Sequence, residues 1–289
     1  MQAGHSSRTA LGAARHRAVH QVLERGFIFS DPFALPILGI GADAIMQDTQ
    51  DDEFTRKLRL FIAIRSRLAE DALATAVAHG VRQLVILGAG LDTYAYRNPF
   101  GNTLRIFEVD YPATQVWKRE KLAAASIPIP STLTFAPVDF ERQTLTSGLT
   151  AAGFDADQPT FFTWLGVVPY LTEPTVYATL EFIAGLPADA DVVFDYANPA
   201  ESISGATSAG RRALADRVAA AGEEFKSSFD TDTLFAKLRS AGFREIEDFG
   251  PAQIVARFFP DRNITVSNRG GHILRAATGH GTESTAWRS

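Results

Sequence analysis

An apolar run that ends in closely spaced glycines organises the sequence: Gln83-Leu84-Val85-Ile86-Leu87-Gly88-Ala89-Gly90-Leu91-Asp92-Thr93. Four consecutive apolar residues before a glycine turn predict a short buried strand. Glycine gives the turn access to positive φ and lets a ligand approach the backbone. Because ligands of open α/β sheets bind beyond the carboxyl ends of the strands, the turn is a candidate binding site. A tight turn without any ligand has the same local pattern.

Thr93, the last residue quoted, helps to distinguish a dinucleotide-binding turn from other nucleotide-binding turns. The dinucleotide fingerprint G-x-G-x-x-G requires a third glycine, and Thr93 stands in its place. The pattern therefore disfavours a pyrophosphate-binding helix start. An NAD-dependent oxidoreductase stays open as an alternative, because it would also explain a glycine turn after a strand.

Composition excludes several classes of function. The 289 residues are 46% hydrophobic and 21% charged, which is ordinary for a soluble globular protein. A net charge of −5 gives no case for binding nucleic acid or an anionic membrane. The lack of cysteine excludes disulfides, thiolate zinc sites and cysteine nucleophiles, and is compatible with the cytoplasmic location that we expect. No apolar stretch approaches the roughly 20 residues of a membrane span.

Strands and helices are predicted to alternate along the chain. Strands are predicted at 84–87, 103–110, 133–138, 160–168, 191–196, 243–249 and 272–277, and helices at 11–24, 33–38, 52–79, from 113 and 172 onward, at 206–222 and at 231–241. This alternation predicts an α/β fold with a doubly wound, mostly parallel seven-stranded sheet. We expect 1–80 to form a helical cap, 81–278 a core, and 279–289 a disordered polar tail. The stretch between Phe249 and His272 is predicted to be irregular.

Acidic residues follow the second and third predicted strands. A carboxylate about 20 residues after the glycine turn is placed to hold a ribose hydroxyl pair, and Glu108 and Asp110 share one face there. Either acid could instead cap the following helix, so only one need be functional. Asp139 and Phe140 suit an adenine, because the exocyclic amine of adenine would donate a hydrogen bond to the carboxylate. The alternative is a loop acid beside a core phenylalanine.

One arginine shares the apolar face of the helix predicted at 52–79. Arg65 is four residues after Phe61 and four before Ala69. A buried guanidinium needs a partner, because leaving its charge buried alone is very costly. That partner is either an internal carboxylate or the carboxylate of a ligand, which the planar fork grips at two points. Its helix leads directly into the first strand, so we favour the ligand.

Several motifs together resemble a known family. They are Arg65-Ser66-Arg67, Ile86 to Thr93 with Tyr96-Arg97, Phe107-Glu108-Val109-Asp110, Val138-Asp139-Phe140, and Trp164-Leu165-Gly166-Val167 with Tyr170-Leu171. Over about residues 7–200 the chain is similar to the leucine carboxyl methyltransferase family. Its members are class I, Rossmann-like methyltransferases that use S-adenosylmethionine (SAM). They include bacterial enzymes of secondary metabolism that act on polyketide and other small-molecule carboxyls.

The resemblance implies roles for the residues quoted above. It implies that Arg65 contacts the methionine carboxylate of SAM, and that Gly88, Ala89 and Gly90 lie beneath its methionine part and ribose. It also implies that Asp110 binds the ribose hydroxyls, with Glu108 nearby. Asp139 and Phe140 would lie at the adenine. Arg15 is a further candidate for the methionine carboxylate. The implied reaction is O-methylation, with a small-molecule carboxylate as acceptor. No metal is expected, because no Asp/Asn/His cluster converges after the fourth and fifth predicted strands.

The acceptor side is less determined by the sequence. Leu165, Tyr170 and Tyr196 are predicted substrate contacts, and residues 1–50 and 198–230 are expected to cover the pocket. Many family members carry glutamate where this chain has Leu165, which leaves a non-catalytic SAM-binding protein as an alternative. A carboxylate acceptor is ionised near neutral pH and needs no general base, whereas a phenol would benefit from one. Tyr170, Tyr196 and His272 are candidates, and the sequence assigns the role to none.

Overall fold

The computed structural model describes residues 8–47, 49, 51–139, 143–199, 224–261 and 266–279. The helices are α1 (Arg8–Leu23), α2 (Ala42–Gln47), α3 (Glu53–Ala78), α4 (Pro112–Ala124), α5 (Leu145–Ala151), α6 (Glu173–Ala184), α7 (Thr231–Ala241) and α8 (Pro251–Phe258). The strands are β1 (Gln83–Leu87), β2 (Arg105–Asp110), β3 (Leu133–Pro137), β4 (Thr160–Trp164), β5 (Ala190–Ala197), β6 (Glu245–Phe249) and β7 (Gly271–Ala277).

The strands form one seven-stranded sheet in the order β3-β2-β1-β4-β5-β7-β6. Strand β2 pairs in parallel with β1 and β3, and β4 pairs in parallel with β5. Strand β7 is antiparallel to both β5 and β6. The predicted fold class, an α/β fold with a mostly parallel seven-stranded sheet, is confirmed.

Backbone contacts divide the chain into two compact units, of which the first comprises Met1–Glu70 and Arg82–Asp155. Every residue of β1 is buried, as expected for a strand of continuous apolar sequence. The N-terminal helices pack around a separate hydrophobic cluster. Its buried members include Ala14, Ala18, Val19, Ile37 and Ile45, which cluster with Leu91 after β1 and with Leu122 of α4. The N-terminal segment therefore packs on the loop that follows β1.

The second unit comprises Asp71–Val81 and Ala156–Ser289. Strands β4 and β5 supply its most buried side chains, among them Phe161, Phe162 and Phe194. Helix α7 begins where the Asp230 side chain accepts a hydrogen bond from the Thr233 backbone N–H, and ends at Gly242 with φ 119°. A side-chain cap at the start and a left-handed glycine at the end are the usual signals for such a helix.

Two local predictions are wrong. The predicted helix at 33–38 is only a 3₁₀ turn, Pro36–Leu38, because Pro36 lacks the N–H that an α-helix needs there. The stretch after Phe249, predicted to be irregular, contains α8. Its signal was present, since Pro251 occupies the first turn and Pro260 follows the end.

Other predictions concern parts of the chain on which the structure is silent. The helix predicted at 206–222 lies outside the described residues, as does the tail apart from Gly279. The division into a cap at 1–80 and a core at 81–278 stays a prediction. None of the described helices is long and apolar enough to cross a membrane.

Candidate functional site

The turn after β1 has the geometry that its glycines predict. Gly88 has φ 65° and Gly90 has φ 45°, both in the left-handed region. The backbone N–H groups of Gly88 and Ala89 both donate to the Val109 carbonyl, at 2.8 and 3.1 Å. The turn is therefore fixed to the end of β2, where the candidate acids lie.

Asp110 closes this turn. Its Oδ2 accepts a hydrogen bond from the Gly90 N–H at 2.6 Å, and its Oδ1 accepts one from the Tyr111 N–H at 2.7 Å. Desolvation raises the pKa of Asp110, and the two backbone donors oppose that shift. A carboxylate has about four acceptor sites, so two remain after the backbone N–H groups are counted. A half-buried carboxylate beside a left-handed glycine turn fits the hydroxyl pair of a ribose.

Glu108 lies deeper than Asp110. Its side chain is fully buried, and Oε2 lies 2.7 Å from Nζ of Lys118, which is also buried. Desolvation outweighs the nearby ammonium and raises the pKa of Glu108 to about 7. Of the two acids, only Asp110 reaches the surface in this conformation. The cofactor contact predicted for Glu108 stays a prediction that requires the side chain to become accessible.

The N-terminal segment holds the turn from its other side. Arg17 of α1 donates from Nη2 to the Leu91 carbonyl at 2.6 Å. Thr93 donates its hydroxyl to Asp31 Oδ2 at 2.7 Å, and both residues are buried. Sequence analysis missed Arg17 and Asp31. The available signal was Thr93, a hydroxyl residue where a nucleotide-binding turn commonly has glycine.

The remaining cofactor candidates of the first unit lie on the predicted elements. Arg65 is half-buried on α3, Arg15 is half-buried on α1, and Ala89 is buried in the turn. Asp139 is half-buried and follows β3, whereas Phe140 lies outside the described residues. Their contacts with SAM stay predictions.

In the second unit, Leu165 and Tyr170 are half-buried after β4. The Tyr170 ring lies 5.3 Å from the ring of Phe225. The segment that carries Phe225 is held to the turn before Tyr170, because the Lys226 N–H donates to the Pro169 carbonyl at 2.7 Å. Tyr170 therefore lies beside the first described residues that follow position 223.

Tyr196, the third, belongs to a buried network. It is 1% exposed, and its ring stacks on the His272 ring with centroids 4.8 Å apart. Its hydroxyl lies 3.2 Å from Asp248 Oδ1, to which it donates. Burial is the largest cause of the raised pKa of Tyr196. In this structure the phenol presents no surface to a substrate, and its raised pKa keeps it protonated near neutral pH.

Both ring nitrogens of His272 face acceptors. Asn198 donates from Nδ2 to the Phe229 carbonyl and accepts the Gly270 N–H at Oδ1, which fixes the orientation of its amide. The same Oδ1 lies 2.8 Å from His272 Nε2, and Asp248 Oδ2 lies 2.8 Å from Nδ1. Both ring nitrogens are therefore engaged by protein groups, and neither is directed at a substrate.

Comparison with known proteins identifies the family. The family model for leucine carboxyl methyltransferase matches residues 10–184 of this chain. The chain belongs to the leucine carboxyl methyltransferase family. The matched residues include the glycine turn, Asp110 and the loop after β4. The match therefore covers most of the candidate cofactor and substrate residues.

Three relatives found by sequence similarity are all described as putative SAM-dependent methyltransferases. The chain is 36% identical over 205 residues to YktD of Bacillus subtilis (strain 168), a putative SAM-dependent methyltransferase; the match covers 70% of this chain and 67% of that protein. A protein of the same description from Frankia alni is 35% identical over 186 residues, 62% of this chain and 64% of its own. One from Streptomyces coelicolor is 36% identical, over 58% of this chain and 60% of its own. The match thus spans less than two thirds of the last two proteins.

Solved structures share the fold at low sequence identity. A putative O-methyltransferase from Nostoc punctiforme is similar with a TM-score of 0.50 and 10% identity, covering 94% of this chain and 74% of its own. A possible exported protein from Bordetella parapertussis gives 0.50 and 13%, covering 96% and 98%. The predicted family and its cofactor, SAM, are confirmed by the family match and the relatives. Methyl transfer from SAM is supported, and an NAD-dependent oxidoreductase is not favoured.

Proposed function

We propose that this protein transfers the methyl group of SAM to a carboxylate oxygen of a small molecule. The observation that carries the proposal is the left-handed glycine turn closed on Asp110, in a chain of a carboxyl methyltransferase family. The turn and the acid form the half of the site that receives the cofactor. The carboxylate acceptor is inferred from the family.

Six described residues and Phe140 would hold the cofactor. The proposed contacts are Arg65 with the methionine carboxylate, Gly88, Ala89 and Gly90 beneath the methionine and ribose, Asp110 with the ribose hydroxyls, and Asp139 with Phe140 at the adenine. Bound SAM supplies a methyl carbon activated by its sulfonium. The chain itself contributes alignment, which is the large proximity effect of a bimolecular displacement.

The described residues favour an acceptor that needs no general base. A carboxylate is already ionised near neutral pH, whereas a phenol with a pKa near 10 benefits from a base. His272 has both ring nitrogens engaged, and Tyr196 is buried with a raised pKa. Of the three candidate bases, Tyr170 alone is left. This supports a carboxylate acceptor over a phenol.

The acceptor would lie against Leu165 and Tyr170. Both side chains are half-buried, and an apolar Leu165 suits a substrate with a hydrocarbon body beside its carboxylate. We propose a cytoplasmic location, in keeping with a chain that contains no cysteine. The predicted lid at 198–230 is described only at 198–199 and 224–230, and it stays a prediction.

A labelled-methyl assay tests this proposal. The purified protein is incubated with methyl-labelled SAM and with three acceptor sets: small carboxylic acids, phenols, and a peptide that ends in leucine. Methyl esters release methanol in alkali, whereas methyl ethers do not. We expect alkali-labile label on a small carboxylic acid, and its loss in Asp110→Ala. Alkali-stable label, or label on the peptide alone, contradicts the proposed acceptor. Binding of S-adenosylhomocysteine without turnover on any set favours the non-catalytic alternative.

A further inference from the structure

Asp31 is a buried carboxylate that joins the N-terminal segment to the glycine turn. It is 2% exposed, and it accepts hydrogen bonds from the Thr93 hydroxyl at 2.7 Å and from the Phe33 N–H at 3.0 Å. Two guanidinium groups flank it, with Arg17 Nε at 3.5 Å and Arg97 Nε at 3.6 Å. Arg17 and Arg97 therefore offset the charge of the buried carboxylate.

The contacts around Asp31 extend along the whole turn. A Cβ built on Gly90 would lie 2.9 Å from the Ala10 Cβ, so α1 passes directly over that glycine. Arg17 holds the carbonyl of the next residue, Leu91. Arg97, at the far end, pairs with Glu70 of α3 through both of its terminal nitrogens, at 2.7 and 2.5 Å.

The same turn carries the proposed ribose ligand. The N–H of Gly90 is the donor that reaches Asp110 Oδ2. A continuous set of contacts therefore runs from Asp31 through Thr93 and Leu91 to Gly90 and Asp110. Buried charged groups are costly, and one attested reason to keep them is that they specify a unique geometry.

We propose that Asp31 is a positioning residue for cofactor binding, which fixes the glycine turn to the segment 8–38 so that ordering of α1 and binding of SAM are coupled. The inference rests on the proposed use of SAM and adds to it the N-terminal segment as part of the cofactor site. It also gives a reason for threonine where dinucleotide-binding turns have glycine: the Thr93 hydroxyl is the link to Asp31. Coupling of this kind is reciprocal. If ordering of α1 increases the affinity for the cofactor by a given factor, bound cofactor must favour the ordered state of α1 by the same factor.

Substitution of Thr93 tests the link, together with the hydrogen bond at 3.3 Å that the same hydroxyl accepts from Arg97 Nε. Thr93→Val keeps the shape and removes the hydroxyl, whereas Thr93→Ser keeps the hydroxyl. Thr160→Val is the matched control, because Thr160 is also buried and its hydroxyl donates to the Gln158 carbonyl at the start of β4. Two quantities are measured on each full-length variant: the Kd for S-adenosylhomocysteine by calorimetry, and hydrogen exchange of the α1 amides with and without that ligand.

We expect Thr93→Val to raise the Kd about tenfold, the effect of one lost hydrogen bond to a charged group. We also expect the ligand to slow exchange in α1 of the wild type and of Thr93→Ser, and to do so much less in Thr93→Val. Thr160→Val is expected to keep the wild-type Kd even where its melting temperature falls. A purely structural role of Asp31 would lower the melting temperature of Thr93→Val and leave its Kd unchanged.

Two results overturn the inference while the proposed function stands: an unchanged Kd in folded Thr93→Val, or exchange in α1 that the ligand does not slow in the wild type. If Thr93→Val does not fold, Asp31→Asn is measured instead. Its amide oxygen can still accept from Thr93 but carries no charge for Arg17 and Arg97, so a raised Kd supports Asp31 as a positioning residue and an unchanged Kd overturns the inference. A wild type that binds no S-adenosylhomocysteine contradicts the proposed function as well, so the two failures are distinguishable.

Discussion

The Gly90 backbone N–H donates to Asp110 Oδ2 over 2.6 Å, which joins the turn after β1 to the last residue of β2. The other carboxylate oxygen of Asp110 accepts the Tyr111 N–H. Asp110 closes the turn with one acceptor site of each oxygen, and we propose that a remaining site receives the ligand. The proposed cofactor site rests on this arrangement.

Asp110→Asn is expected to weaken both the turn and the binding of S-adenosylhomocysteine. An amide has one oxygen, so it can accept only one of the two backbone N–H groups and turns its own NH₂ toward the other. The unsatisfied donor predicts a loss of about 1–3 kcal/mol in the free energy of unfolding. We expect the Kd for S-adenosylhomocysteine to rise about tenfold or more. Urea unfolding and calorimetry measure the two effects. Asp43→Asn, at an exposed position of α2, is the control, and equal behaviour of the two variants contradicts the role of Asp110.

Gly90→Ala tests the close approach of α1 to the turn. Gly90 and Gly101 both have positive φ, at 45° and 54°, so alanine is strained at either position. A Cβ at Gly90 meets Ala10 at 2.9 Å, whereas a Cβ at Gly101 meets nothing within 4 Å. We expect both variants to lose about 1 kcal/mol from backbone strain. Gly90→Ala should in addition show faster hydrogen exchange in α1. Indistinguishable stability and exchange would show that α1 does not pack on Gly90.

Glu108→Gln tests the buried pair with Lys118 through its pH dependence. Burial raises the pKa of Glu108 from 4.5 in the unfolded chain to about 7 in the folded protein. The folded state therefore binds the proton more tightly, and its stability falls as the pH rises from about 4.5 to about 7. Glutamine does not titrate, so the unfolding free energy of the wild type minus that of Glu108→Gln should decrease over this range. Urea unfolding at several pH values measures the difference.

Glu53→Gln provides the opposite case. Glu53 is exposed, and its hydrogen bond with Lys57 lowers its pKa, so the corresponding difference should increase slightly with pH below neutrality. A difference for Glu108→Gln that is flat, or that increases with pH, would mean that Glu108 is ionised in the folded protein throughout the range.

Much of the fold was predictable because its signals are local. An apolar run before Gly88 predicts a buried strand and turn wherever it occurs, and the structure has both. Helix α8 also has local signals, in Pro251 and Pro260, but the turn formers around it indicate an irregular stretch as well.

The site was predictable only in part, because its other contacts join residues far apart in sequence. Thr93 and Asp31 are 62 residues apart, and no local pattern indicates that their segments meet. The period of a strand places Glu108 and Asp110 on one face. It does not show that Lys118, from the next helix, buries one of them and leaves the other at the surface.

Calorimetric titration with S-adenosylhomocysteine, SAM and NAD tests the central claim most directly, on the wild type, Asp110→Ala and Arg65→Ala. We expect SAM and its product to bind and NAD not to bind. We expect each substitution to raise the Kd about tenfold, as the loss of a charge-assisted hydrogen bond implies. Binding of NAD alone, or a Kd for S-adenosylhomocysteine that neither substitution changes, would contradict the cofactor site described here.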